Sequence, residues 1–120
     1  MTTTNISDVR SHRHRTIVKN NSAVSTSVVL IPPPSAFVDG DRYMVVTGFS
    51  CVPANNGTLK LISGNAVNAT EDAIIWQTPY TAGTRIDFAG DFIQTKVGQA
   101  LKITTETGAM GIFTLSVRYE

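Results

Sequence analysis

The chain has 120 residues, 16% of them charged, a net charge of +1 and a single cysteine. That length predicts one domain able to bury roughly two-thirds of its unfolded surface. One cysteine excludes an intrachain disulfide framework and any cysteine-based zinc site built from one chain, and no apolar run approaches the length of a membrane span. The first residues, Met1 to Ile6, lack the basic and apolar regions of a secretory signal, so the expectation is a protein made and kept in solution with no membrane partner.

The charge is unevenly spread. Residues 1–19 carry Arg10, Arg13, Arg15 and Lys19 against Asp8, a net +3, which leaves −2 for the remainder. This reads as an extended basic N-terminal arm, residues 1–15, on a mildly acidic domain, residues 16–120. Arg10, His12, Arg13, His14 and Arg15 are the arm's candidate contact residues, either docking on an acidic or nucleic-acid surface or staying solvated. His12 and His14 would face one way on a strand, but the flanking arginines oppose a cation. No carboxylate or cysteine completes a ligand set there, so no metal is expected.

Beyond the arm, Thr16 to Lys19 starts a sheet and Asn20-Asn21-Ser22 turns the chain. Val24, Thr26, Val28 and Leu30 line one face of a strand that three prolines, Pro32 to Pro34, bring to a stop. Asp39-Gly40-Asp41 reads as a turn rather than a calcium loop, because the rest of a coordination loop is missing. Arg42 to Val52 is the strongest strand, apolar on both faces as a central strand should be, and Cys51 within it reads as a small buried hydrophobe. The Asn-Gly signature at Asn56-Gly57 turns the chain into Thr58 to Ser63, with Leu59 and Leu61 inward.

Gly64 to Thr70 is a small, polar loop. Asp72 to Gln77 then brings Ile74, Ile75 and Trp76 together. Some of that apolar surface must point away from its own core, either covered by the same chain or forming a subunit contact. Ile74, Trp76 and Tyr80 are the candidate interface residues. Thr78 to Gly83 reads as a loop, Thr84 to Phe88 as a strand with Ile86 and Phe88 inward, and Ala89 to Thr95 as a lead into the final segments.

Ala100 to Thr105 and Ile112 to Tyr119 both alternate with period two, the second with Phe113, Leu115, Val117 and Tyr119 on one face. Gly108 and Gly111 bracket the short connection, so the pair reads as a closing β-hairpin that carries the sheet to the end of the sequence. About eight short strands and no segment of helical period predict an all-β, antiparallel β-sandwich, jelly-roll-like.

No pattern names a chemistry. The acids, Asp39, Asp41, Asp72, Asp87 and Asp91, sit in turns or on polar strand faces rather than paired in a pocket. Both histidines lie in the arm, away from any serine nucleophile, and there is no phosphate loop or dinucleotide fingerprint. The chain is therefore expected to be no enzyme and to hold no cofactor. A specific nucleic-acid partner is not expected either, because most aromatics fall on inner faces of an acidic body.

The order of residues from Ser22 onward resembles a family of small tailed-phage virion proteins, the capsid decoration or cement proteins. The pieces that carry the likeness are Val28 to Ile31, Asp39-Gly40-Asp41, Tyr43 to Phe49, Gly57 to Gly64, Gly98-Gln99-Ala100-Leu101-Lys102-Ile103-Thr104 and Gly111 to Tyr119. The resemblance implies a compact β-sandwich, a homotrimer on the outer surface of the phage head, with the major capsid protein as partner and no catalytic residue. It implies virion localisation and stabilisation of the shell. The basic arm and the triple proline have no counterpart in the shared pattern. The alternative is a tail or fibre-tip β-sandwich module that binds a host surface glycan, with Trp76 and Tyr80 as exposed platforms.

Overall fold

The computed structural model describes residues 3–10, 14–21, 25–34 and 42–120, with side chains described for 14–21, 28–34 and 42–120. These hold nine strands and no helix: β1 (Thr3–Arg10), β2 (His14–Asn21), β3 (Ser25–Ile31), β4 (Met44–Cys51), β5 (Gly57–Gly64), β6 (Ala73–Tyr80), β7 (Ile86–Gln94), β8 (Ala100–Glu106) and β9 (Gly111–Tyr119). A five-stranded sheet has the order β1-β2-β9-β4-β7 and a four-stranded sheet the order β3-β8-β5-β6. Every pairing is antiparallel.

Apart from β1 at its edge, the arrangement is two sheets of four strands, with the chain passing back and forth between them. That is the jelly-roll form of the β-sandwich.

Alternation in the sequence explains which face each strand buries. Leu59 and Leu61 of β5 and Phe113, Leu115 and Val117 of β9 sit in one core between the sheets, joined by Met44 and Val46 of β4 and, after a register shift at Thr47 that changes the phase of the alternation, by its Phe49 and Cys51. Each fully buried side chain of this size contributes roughly 1.5–3 kcal/mol. β8 is buried on both faces over Ala100–Ile103, because the β5–β6 connection folds across its outer side. The expected central position of β4 holds, between β9 and β7.

Several expectations are corrected. Residues 100–106 and 111–119 do not form a hairpin: β8 pairs with β3 and β5, β9 pairs with β2 and β4, and the connection arches from one sheet to the other. Period-two alternation establishes that a strand has a buried face, and two strands facing each other across a core satisfy it as well as two neighbours. In this arch Gly111 takes a positive φ of 88°, and Thr107 rather than Gly108 takes the other, at 72°. The turn after β4 likewise leads to the opposite sheet, with Ala54 N–H donating to the Met110 carbonyl at 2.9 Å.

The boundary at residue 15 does not divide an arm from a domain. Thr3–Arg10 is the edge strand β1, paired with β2 from Thr3↔Asn21 to Arg10↔Arg15, which satisfies one side of its backbone. β6 continues through Pro79 to Tyr80, where a loop is expected; it is an edge strand, and a missing N–H costs nothing on the solvent side. Asn20 and Asn21 belong to β2 rather than to a turn. The expected turn at Asp39-Gly40-Asp41, and Ser22, Val24, His12 and Arg13, lie outside the described residues.

Candidate functional site

Two edge strands from opposite sheets, β6 and β7, meet along one side of the sandwich. Their junction is aromatic: the ring centroids of Trp76 on β6 and Phe88 on β7 are 4.7 Å apart. Phe49 stands 6.3 Å from Trp76, 6.1 Å from Phe88 and 5.6 Å from Phe113, so the cluster is rooted in the core. Pairs of this kind add about 0.5–1.5 kcal/mol each beyond their burial. The cluster reaches the surface at Phe92, 5.8 Å from Phe88 and 68% exposed.

Local irregularities in the ladders put apolar side chains outside. Along β6 the register skips Ile75: Trp76 pairs with Leu61 and Ile74 with Ile62. A bulge of this kind re-aims the residues beside it. Ile75 and Trp76 consequently both pack against the core, and Ile74 is turned out, 53% exposed. Along β7 the register shifts between Ala89↔Gly48 and Ile93↔Val46, and Phe92 lies in the interrupted stretch. Both edges of this side therefore carry a bulge beside an exposed hydrophobe.

Of the interface candidates, Ile74 alone presents its side chain to solvent. Trp76 is half-buried in the aromatic cluster, and Tyr80 is buried, its hydroxyl donating to the Gly108 carbonyl. Burial, with the Cys51 thiol nearby as a smaller cause, pushes the Tyr80 phenol above its ordinary range. Neither ring is an exposed platform. Among the arm candidates, Arg10 lies in β1, His14 is exposed at the start of β2, and Arg15 is 7% exposed, so its side chain is not available to a partner surface.

Cys51 is buried as expected, its thiol donating to the Ile112 carbonyl at 3.4 Å, and burial pushes its pKa up, the opposite of what a nucleophile needs. Among the described residues no group of three or more His, Cys, Asp or Glu converges as a metal site would require.

No protein-family model and no curated relative matches the chain. Solved structures do. A protein of Bacillus endospore appendages, described as a novel family of disulfide-linked pili, is 16% identical with a TM-score of 0.52, and the match covers 97% of both chains. The CBM22-1–GH10 modules of a Clostridium thermocellum endo-1,4-β-D-xylanase, Xyn10B, complexed with xylohexaose, are 17% identical with a TM-score of 0.52. That match covers 88% of this chain and 22% of the other. At such identities the likeness shows the fold alone, a β-sandwich domain.

Sequence reasoning missed Phe92, which alternation did not separate from the lead into the final segments. It also missed the hydroxyl-bearing outer face of the five-stranded sheet. The available signal was Gly48, a glycine in the middle of the strongest strand.

Proposed function

We propose that this chain is a non-catalytic structural subunit that docks on a larger protein assembly, in the role of the tailed-phage capsid decoration proteins it resembles. The observation that carries the reading is the β6–β7 side, where Ile74 and Phe92 stand exposed beside bulges on two edge strands. An aromatic anchor backed by a rigid cluster is the kind of residue that dominates docking energies. In this reading the partner is the major capsid protein on the outer surface of the head. Three copies associate around a threefold axis, and each contact gains from the high effective concentration of the other two.

The test is copy number in the purified particle, by quantitative mass spectrometry against the major shell subunit. An abundance comparable to the shell subunit is expected. Absence from particles overturns the reading. A companion measurement is the binding of purified protein to stripped heads: Phe92→Ser should reduce it at least tenfold with little change in stability, and unchanged binding would remove this side from the interface.

A further inference from the structure

The outer face of the five-stranded sheet holds a concavity of about 260 Å³ whose floor is Gly48. Its walls are Ser50 from β4, Asp87 and Ala89 from β7, and Thr114 and Ser116 from β9, while Phe49 and Phe88 turn their rings to the core beneath. Gly48 follows the register shift at Thr47, yet neither its backbone angle nor close packing requires a glycine there. Its φ is not positive, and a Cβ there would meet nothing nearer than the Phe88 carbonyl oxygen at 3.8 Å. A glycine inside a strand is a net cost to stability, and here its effect is to leave the hollow open.

The polar side chains of the lining are three hydroxyls, Ser50, Thr114 and Ser116, and one carboxylate, Asp87. Arg85 Nη1 donates to Ser50 Oγ at 3.2 Å, and the serine's own proton is not used in that bond. Thr16 Oγ1 and Ser116 Oγ are 3.1 Å apart and share one proton, so one hydroxyl of the pair retains a free donor. Asp87 and Thr114 line the hollow from opposite sides with acceptors to spare. The walls therefore offer both donors and acceptors and a single carboxylate, set in a larger share of apolar surface such as the CH faces of a sugar can cover.

We propose that this concavity is a binding subsite for one pyranose ring of a neutral glycan. A volume just below the usual range for drug-sized ligands, about 300–1,000 Å³, suits a single ring. Ser50 and Thr114 face each other on paired strands and Ser116 stands two residues along β9, so the three hydroxyls share one face of the sheet around the hollow. Asp87 accepts from a pair of sugar hydroxyls, and the Ser50, Thr114 and Ser116 hydroxyls donate or accept as the ring's stereochemistry requires. An anionic ligand would be repelled by Asp87, and an apolar one would leave these hydroxyls unpaired.

The experiment is an NMR titration of the ¹⁵N-labelled full chain with neutral oligosaccharides, xylohexaose, cellohexaose and mannohexaose, at millimolar concentrations. Saturable shifts at Gly48, Ser50, Thr114 and Ser116 with one of the three are expected. Gly48→Val fills the hollow and should weaken that binding at least about tenfold, and Asp87→Asn, a surface change that leaves the fold intact, should do the same. No saturable shift with any of the three sugars, or shifts that survive both substitutions, overturns the proposal. Its failure is independent of particle binding through Phe92.

Discussion

Lys102 Nζ stands 2.6 Å from Asp72 Oδ1, with the lysine side chain 4% exposed and the aspartate 17%. The same ammonium donates to the carbonyls of Asn65 at 3.0 Å and Asn68 at 3.1 Å, so all three of its protons are used. One buried cation thereby pins the β5–β6 connection to the outer face of β8. Lys102→Met keeps the aliphatic stem and removes the charge, leaving a largely buried carboxylate and two carbonyls without this donor. A loss of about 3 kcal/mol is expected, the lower end for a broken buried pair because Asp72 keeps some contact with water. Urea denaturation reads the loss, and hydrogen exchange should show residues 65–72 opening before the sheets.

Gly64 is tied to the same clamp. A Cβ on it would lie 2.1 Å from Asp72 Oδ1, so any side chain pushes the carboxylate off Lys102. Gly64→Ala is expected to destabilise by an amount similar to Lys102→Met. The two changes disrupt one interaction, so the double variant should be less destabilised than the sum by at least about 1 kcal/mol. Additivity in a double-mutant cycle would show that the glycine is needed for some other reason.

Tyr80 gives a pH signature. Its phenol is raised by burial, so the unfolded chain loses this proton first, near the ordinary value of about 10. The contribution of the neutral phenol is fully present below that pH and is lost as pH rises through the higher folded value. Thermal unfolding of the wild type should therefore fall more steeply above about pH 10 than that of Tyr80→Phe. At neutral pH the same substitution should cost about 1 kcal/mol, through the lost hydrogen bond to the Gly108 carbonyl. Parallel pH profiles for the two proteins would contradict this account.

The strands and their inner faces were legible because burial writes a period of two into residues such as Phe113, Leu115 and Val117. Pairing was not legible: alternation is local, whereas β8 and β9 find their partners across the whole sequence, and the glycines between them suit an arch as well as a hairpin. β1 was missed because residues 3–10 are mostly polar in sequence and show neither helical nor strand period. The exposed positions of Ile74 and Phe92 depend on bulges, which shift register by single residues and follow from contacts between strands rather than from composition. Lys102 looked like an ordinary outward residue of an alternating strand, since the loop that covers it comes from elsewhere in the chain.

Asn21 is the polar counterpart of the aromatic cluster at the arch. It is fully buried at the end of β2, accepts from the Met110 N–H at 2.7 Å and donates to Thr105 Oγ1 at 3.3 Å, joining both sheets and the β8–β9 connection. Asn21→Ala should cost about 2–3 kcal/mol, since the buried Met110 N–H is left unpaired. Asn21→Asp separates hydrogen bonding from mere packing. The carboxylate can still accept from Met110, but burial raises its folded pKa above the unfolded value of about 3.9. Stability of that variant is therefore highest below about pH 4 and lost as pH rises through the folded value. Guanidinium unfolding at acid and neutral pH should show Asn21→Asp closest to wild type in acid. A variant equally stable at both would mean that water reaches position 21 and that the tie contributes little.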